Sequence, residues 1–156
     1  SHIVLHIGWI PGAGVPKNWA NRCISFWNEF LEGKSDSVNY YIENLFDKDP
    51  EVIFDVISGL NKPNVKACLD IGHAHCKSNI SVEDWIKHLK DKIGYVHLHD
   101  NHGKEDEHLG FGQGNIPVLD VLNLLETHTP EAIWALECKT DSLLDSLEFL
   151  KMNKFL

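Results

Sequence analysis

Short apolar segments alternate with segments that carry helix signals, and this alternation constrains the fold more than any other feature of the sequence. The apolar segments are continuous runs, which is typical of strands buried on both faces of a parallel sheet rather than on one face. They cover residues 2–8, 37–44, 65–72, 93–99 and 132–137. We therefore predict five parallel strands.

Helix signals stand between these apolar segments. Pro16 suits the first turn of a helix, Asp49 precedes Pro50 at the start of the next, and Ser81 and Pro117 begin two more. The predicted helices cover residues 16–33, 49–60, 81–90, 117–127 and 141–152. Strand and helix thus alternate five times, which predicts an α/β fold with a parallel sheet.

Length and composition limit the class of protein. The 156 residues fit a single domain, 1–156, and the net charge of -9 argues against nucleic acid or an anionic membrane as partner. The four cysteines form no C-x-x-C pair, and no signal peptide or membrane-length apolar run is present, so we expect a cytoplasmic protein. The chain begins at Ser1 without methionine and enters a strand by Ile3, which we interpret as the mark of a fragment.

A histidine or a carboxylate stands at the end of every predicted strand. These five residues are His6, Glu43, Asp70, His97 and Glu137. Because sites in parallel α/β folds lie at the carboxyl ends of strands, we expect the five side chains to share one site.

The chemistry of these residues favours a metal, although each has a plainer interpretation. A lone histidine at a strand end is more often a polar surface group than a ligand, whereas Glu43 and Glu137 follow apolar runs and would need a charged partner if buried. A His/Asp/Glu set without thiolates suits Mn²⁺, Zn²⁺, Co²⁺ or Mg²⁺. The same reasoning assigns outer-shell or spacer roles to His75, His99 and His102.

Longer motifs around these residues resemble a known family. The segments are "LHIG" at 5–8, "YIENLFDKDP" at 41–50, "CLDIGHAH" at 68–75, "VHLHDNHGKEDEHLGFGQGNI" at 96–116 and "ALEC" at 135–138. Together they resemble the xylose isomerase-like (β/α)₈ superfamily, which includes sugar phosphate isomerases/epimerases and endonuclease IV. The resemblance implies a partial TIM barrel of about five β/α units that correspond to strands 4–8, without the first three units.

The resemblance also implies roles for individual residues. One divalent metal would be held by Glu43, Asp70, His97 and Glu137, and the two glutamates would also move protons as in the epimerases. The positions that match the additional zinc ligands of endonuclease IV are all present, as further metal or substrate contacts: His6, His73, Asp106 and His108.

Some positions depart from both subgroups. Ile7-Gly8 follows His6 where endonuclease IV typically has Pro-Gly, and the loop after His97 lacks the arginine of ketose 3-epimerases. The resemblance implies a metal-dependent sugar isomerase or epimerase that transfers a proton next to a carbonyl. The alternatives are a zinc-dependent phosphodiesterase acting at abasic DNA and an inactive metal-binding fragment. Unpaired edge strands predict a homodimer or association with the missing N-terminal barrel part.

Overall fold

A computed structural model of the protein describes residues 1–60 and 62–156. Five parallel strands form one sheet in the order β1-β2-β3-β4-β5, so strands adjacent in sequence are adjacent in space. The strands are β1 (His2–His6), β2 (Asn39–Glu43), β3 (Val65–Asp70), β4 (Ile93–Leu98) and β5 (Ile133–Leu136). The predicted sheet is confirmed.

Helices connect the strands and cover one face of the sheet. They are α1 (Pro16–Leu31), α2 (Glu51–Leu60), α3 (Ile71–Lys77), α4 (Val82–Leu89), α5 (Val118–His128) and α6 (Leu143–Met152). Right-handed β/α crossovers of this kind carry a parallel sheet toward barrel curvature. The architecture is a half-barrel, which confirms the prediction of a partial TIM barrel.

Several predicted boundaries differ from the structure by one or two residues, and α3 was not predicted. The difference at the end of β3 has its reason in the chemistry of Asp70. The strand predicted to reach residue 72 ends at Asp70, because α3 begins at Ile71. The Asp70 carboxylate accepts a hydrogen bond from the backbone N–H of His73 at 2.7 Å, which is an N-cap interaction. Asp70 therefore ends a strand and starts a helix at the same residue.

The core lies between the sheet and the helices. Ile42 and Leu69 on the inner strands are fully buried, as are Ile53 of α2, Trp85 of α4 and Leu122 of α5. Burying a large apolar side chain contributes roughly 1.5–3 kcal/mol. This continuous layer holds the inner strands, and therefore their carboxyl ends, in fixed register.

The two outer strands differ from the inner ones. Within the part of the chain that the structure describes, β1 pairs only with β2, and β5 pairs only with β4. Ile3 and Ile133 on these strands remain 46% and 38% exposed. Both edges of the sheet are thus open. Among the described residues no helix is both long enough and apolar enough to span a bilayer.

Candidate active site

The strand ends bring the predicted site residues to one edge of the sheet. In the parallel register His6 lies opposite Glu43, and Asp70 lies opposite His97. Glu137 directly follows β5, and its backbone N–H still donates to the last carbonyl of β4 at 3.0 Å. The structure places all five residues at the carboxyl end of the sheet.

Four of these residues form the strand-end cluster, which we define as Glu43, Asp70, His97 and Glu137. The Nδ1 atom of His97 lies 3.0 Å from Glu43 Oε1 and 3.6 Å from Asp70 Oδ2. Its Nε2 atom lies 3.4 Å from Glu137 Oε1. Ligand atoms about 2.0–2.2 Å from one ion are roughly 3–3.5 Å apart, so Glu43 and Asp70 have nearly the spacing to share an ion with Nδ1 of His97. Glu137 approaches the other ring nitrogen, Nε2, and so lies on a different side of the imidazole.

Glu43 has two further neighbours. His6 Nε2 lies 3.2 Å from Glu43 Oε2, while its own side chain is half exposed. His73 Nδ1 lies 3.7 Å from Glu43 Oε1 but makes its closer contact, 2.9 Å, with the backbone oxygen of Asn44. A carbonyl oxygen only accepts, so His73 donates its Nδ1–H there and its Nε2 carries the lone pair when the ring is neutral.

A second group forms the loop cluster, which we define as His73, Asp106 and His108. The Oδ2 atom of Asp106 lies 3.2 Å from His73 Nε2 and 3.1 Å from His108 Nε2. The Nδ1–H of His108 donates to the backbone oxygen of Glu137 at 2.7 Å, so the Nε2 of neutral His108 also carries a lone pair. Two imidazole lone pairs then face one carboxylate oxygen, and each contact needs a proton or a cation to balance it.

A buried carboxylate holds the loop that carries Asp106 and His108. Asp100 is fully buried, and its two oxygens accept four backbone N–H groups at 2.8–3.1 Å. The donors are Asn101, Gly112, Gly114 and Ile116. The Gly-rich run interpreted from sequence as a tight turn therefore also wraps a carboxylate. A Cβ at Gly114 would lie 2.4 Å from Asp100 Oδ1, which explains the glycine there.

Asn44 and His99 hold Asp70 in place, and no role in the site was predicted for Asn44. The Asn44 side chain accepts from the Asp70 backbone N–H at 2.8 Å and donates to the Asp70 backbone oxygen at 3.0 Å. His99 Nε2 lies 3.1 Å from Asp70 Oδ1. The position of Asn44 directly after Glu43 is the one signal that could have marked it.

The charges in the site attract positive charge strongly. Burial alone would raise the pKa of Asp70, but contacts with His97 and His99 outweigh it and hold that pKa well below its ordinary value. Burial alone would lower the pKa of His97, yet Asp70, Cys68 and Glu43 raise it to about 12. Either a proton or a divalent ion would satisfy this carboxylate-rich surrounding.

The remaining histidines lie outside both clusters. His75 contacts Asn115 at 2.7 Å, and His102 contacts the exposed Glu107 at 2.9 Å. His2 stacks on Tyr41 at the amino end of the sheet, and His88 lies on α4 beside Phe54. Among the described residues, three groups have the mutual spacing to hold an ion: Glu43/Asp70/His73, Asp70/His97/Glu137 and His99/Asp106/His108. Each group shares at least two residues with one of the two clusters, and neither cluster as a whole forms such a group.

Cavity size does not locate this site. A cavity of about 420 Å³ lies between the end of α5, β5 and Phe155, and none of its lining residues belongs to either cluster. A cavity of about 240 Å³ is lined by His6, Trp19 and Phe26 among others, and so reaches only the edge of the site. The concentration of ligand-type side chains, rather than concavity, identifies the candidate active site.

Comparisons with solved structures give similar folds. The structure of a D-tagatose 3-epimerase-like protein matches with a TM-score of 0.79 and 27% identity, over 97% of this chain and 61% of that one. The structure of the IOLI protein with a bound zinc atom matches with a TM-score of 0.76 at 16% identity, over 98% of this chain and 61% of that chain. At that lower identity the likeness shows the fold alone.

Comparisons of the sequence give a relative and a family. The uncharacterized protein MJ1311 of Methanocaldococcus jannaschii is 28% identical over 165 aligned positions, which cover 96% of this chain and 55% of that protein. The chain thus spans little more than half the length of this relative. Residues 1–152 match the family described as the xylose isomerase-like TIM barrel. With five parallel β/α units and a match over nearly its whole length, the chain belongs to the xylose isomerase-like TIM barrel family.

Proposed function

We propose that this chain, as a single domain, carries the proton-transfer site of a divalent-metal-dependent sugar or sugar phosphate isomerase/epimerase. The observation that supports this most directly is the arrangement of two carboxylates around one imidazole. Glu43 Oε1 lies 3.0 Å from Nδ1 of His97, and Glu137 Oε1 lies 3.4 Å from Nε2 of the same ring. The two glutamates therefore lie on different sides of the His97 ring, which supports their acting from opposite sides of a substrate carbon bound between them.

The residues of the strand-end cluster fit a hard or borderline divalent ion. Three carboxylates and one imidazole, without thiolate, suit Mn²⁺, Zn²⁺, Co²⁺ or Mg²⁺. When bound, such an ion supplies Lewis acidity that polarises a substrate carbonyl and acidifies the neighbouring C–H bond. The zinc atom in the similar IOLI structure is consistent with this donor set.

The glutamates would perform the proton transfer. The carboxylate of one glutamate removes the proton from the carbon next to the carbonyl, and the C–H electron pair moves toward the carbonyl oxygen. The other glutamate then returns a proton to the opposite side of the carbon, or to the neighbouring carbon in an isomerisation. His6, 3.2 Å from Glu43 Oε2, is placed to orient the first of these carboxylates.

Amide variants test this assignment. We expect Glu43→Gln and Glu137→Gln each to lower kcat by ~10²–10⁴-fold while substrate binding changes less, provided that metal occupancy is measured and retained. Glu105→Gln is the matched control, because Glu105 is an exposed loop acid outside both clusters. The wild-type protein should also exchange the substrate C–H with solvent deuterium. Turnover without deuterium incorporation would contradict proton transfer by the glutamates.

A zinc-dependent phosphodiesterase at abasic DNA is the second candidate, and the loop cluster favours it. His73 and His108 both contact one oxygen of Asp106, and His99, Asp106 and His108 have the mutual spacing that an additional metal requires. His6 and the loop cluster would then hold further zinc ions, and two or three metals would activate water. One ion per chain with sugar turnover supports the isomerase, whereas two or three ions with cleavage of an abasic duplex support the phosphodiesterase.

We further propose that the active form is an assembly in the cytoplasm, either a homodimer or a complex with the N-terminal part of the barrel. The open edges of β1 and β5 in the described chain and the exposed Phe26 support this proposal. Sedimentation should detect the assembly at micromolar concentration. A compact monomer that binds no metal would instead support the third candidate, an inactive fragment.

A further inference from the structure

His99 contacts one residue from each cluster. It is fully buried, and its Nε2 atom lies 3.1 Å and 3.3 Å from the two oxygens of Asp70 in the strand-end cluster. Its ring stacks on the ring of His108 in the loop cluster, with centroids 4.1 Å apart and an interplanar angle of 11°. His73, a member of the loop cluster, also reaches the strand-end cluster, with its Nδ1 atom 3.6 Å from Asp70 Oδ2, but His99 makes the shorter contact with the Asp70 carboxylate.

The hydrogen bonding of His99 is one-sided. A carboxylate only accepts, so Nε2–H of His99 donates to Asp70 and Nδ1 carries the lone pair. That Nδ1 atom is buried and has no hydrogen-bond partner among the described residues. A histidine that served only to fill the core would be expected to have both nitrogens paired, because an orphaned buried acceptor costs free energy. The orientation of the His99 ring satisfies Asp70 and leaves Nδ1 of His99 without a hydrogen bond.

The backbone leaves room for this orientation. A Cβ at Gly72 would lie 1.9 Å from Cε1 of His99, so a larger residue at the start of α3 would displace the ring. Asp70 Oδ1 then accepts from both His73 N–H at 2.7 Å and His99, which leaves Oδ2 on the side of His97 at 3.6 Å. His99, whose Nε2 atom reaches both oxygens, thereby holds the Asp70 carboxylate together with the His73 N–H group.

We propose that His99 is a positioning residue for both clusters, holding Asp70 through its Nε2–H and holding the plane of His108 through its ring. This inference rests on the proposed metal site. The two contacts predict separable effects. The Nε2–H bond sets metal affinity at the strand-end cluster, and the stacked ring sets metal affinity at the loop cluster.

Two substitutions separate these contacts. His99→Phe keeps a ring against His108 but removes the donor, whereas His99→Gln keeps an amide donor for Asp70 but removes the ring. Zn²⁺ binding is measured by competition with a chelator, for the strand-end cluster in an Asp106→Ala background and for the loop cluster in a His97→Ala background. We expect Phe to weaken the strand-end cluster by ~10–100-fold and Gln to weaken the loop cluster by a similar factor, each with little effect on the other cluster.

The outcomes are distinct. Equal losses at both clusters in both variants, or zinc affinities unchanged from the parent proteins, would overturn this positioning role. Ring ¹⁵N NMR of the metal-free protein gives a readout that needs no metal, with Nε2 of His99 expected to be protonated and Nδ1 not. If the wild-type protein binds no zinc, the proposed function fails. An Nδ1–H tautomer of His99 would overturn the positioning role by itself.

Discussion

The two clusters lie side by side, yet different levels of structure assemble them. Each residue of the strand-end cluster comes from the end of a different strand, and strand register places Asp70 opposite His97. Asp106 and His108 of the loop cluster instead come from one long connection between β4 and α5. All residues of that connection are described, and they form neither a helix nor a strand. Its only regular pairing is an isolated antiparallel bridge between Asp100 and Leu109.

This difference means that the two clusters depend on different interactions. The strand-end cluster is as stable as the buried sheet, because moving one of its ligands requires breaking strand pairing and core packing. The loop cluster depends on a few hydrogen bonds to one carboxylate, that of Asp100. Perturbations of the loop should therefore remove the second cluster while leaving the first.

The largest effect is expected for Asp100→Ala, which tests this separation directly. It removes the acceptor for four backbone N–H groups, and each buried donor left unpaired costs roughly 1–3 kcal/mol. We expect a loss of about 4 kcal/mol or more in the free energy of unfolding, together with loss of zinc at the loop cluster only. Asp36→Ala, at an exposed turn, is the control for denaturation and metal titration. If Asp100→Ala still bound zinc at both clusters, the loop cluster would not depend on the Asp100 carboxylate.

The next largest effect on stability is expected at Asp47. This carboxylate is buried near the two clusters, but no histidine donates a hydrogen bond to it among the described residues. Burial raises the pKa of Asp47 to about 6 from its ordinary value near 3.8. Since the folded state binds this proton more tightly, the stabilisation is complete below about pH 4 and is lost as pH rises through 6. A pKa that is higher by about 2 in the folded state than in the unfolded state corresponds to ~3 kcal/mol in the free energy of unfolding.

Denaturant titrations across pH 4–8 measure this contribution. Asp47→Asn should flatten the decline in stability between pH 4 and 7, whereas Asp36→Asn should leave it unchanged. A wild-type protein whose stability rises steadily over this range, with the same slope in Asp47→Asn, would contradict the raised pKa. Asp70 should give no such decline, because its neighbours hold its pKa well below the ordinary value.

Gly72→Ala should have a smaller effect on stability and a specific effect on metal binding. The added methyl group would overlap the His99 ring, and overpacking of this kind typically costs 1–3 kcal/mol, that is, about 2 kcal/mol. Zinc affinity at the strand-end cluster should fall as the ring moves. Gly59→Ala in α2 is the control, since its new Cβ meets chiefly the flexible end of the Ile24 side chain in α1. Equal losses of zinc affinity in Gly72→Ala and Gly59→Ala would show that the position of the His99 ring does not depend on the missing side chain at Gly72.

The smallest effect is expected at the outer surface of the loop. Glu107 accepts hydrogen bonds from His102, which lower the pKa of Glu107, but the carboxylate is exposed to solvent. Exposed pairs of this kind contribute little to stability. Glu107→Gln should leave the number of bound zinc ions unchanged. A lost ion would extend the loop cluster beyond His73, Asp106 and His108.

Sequence reasoning predicted the elements formed by short-range signals. The alternation of apolar runs and helix caps predicted the five strands, and strand-end positions marked residues that the structure places at one edge. The boundary at Asp70 was wrong because a helix cap inside an apolar run cannot be separated from a continuing strand by pattern alone. The contact of Asp100 with Gly112 and Gly114 was not predicted, since it joins residues that are distant in sequence and have no periodic pattern.

Because Asp100 anchors the two ends of the loop, the segment between those ends can vary in sequence while the ends stay in place. Residues 101 and 112–116 meet at one carboxylate, so the intervening stretch is closed at its base irrespective of its own sequence. Changes in the length of a surface loop cost little free energy once its ends are fixed. Substitutions and insertions within 102–108 can therefore alter the number of ligands or the substrate contacts without disturbing the sheet, which is how one barrel scaffold can acquire different chemistries.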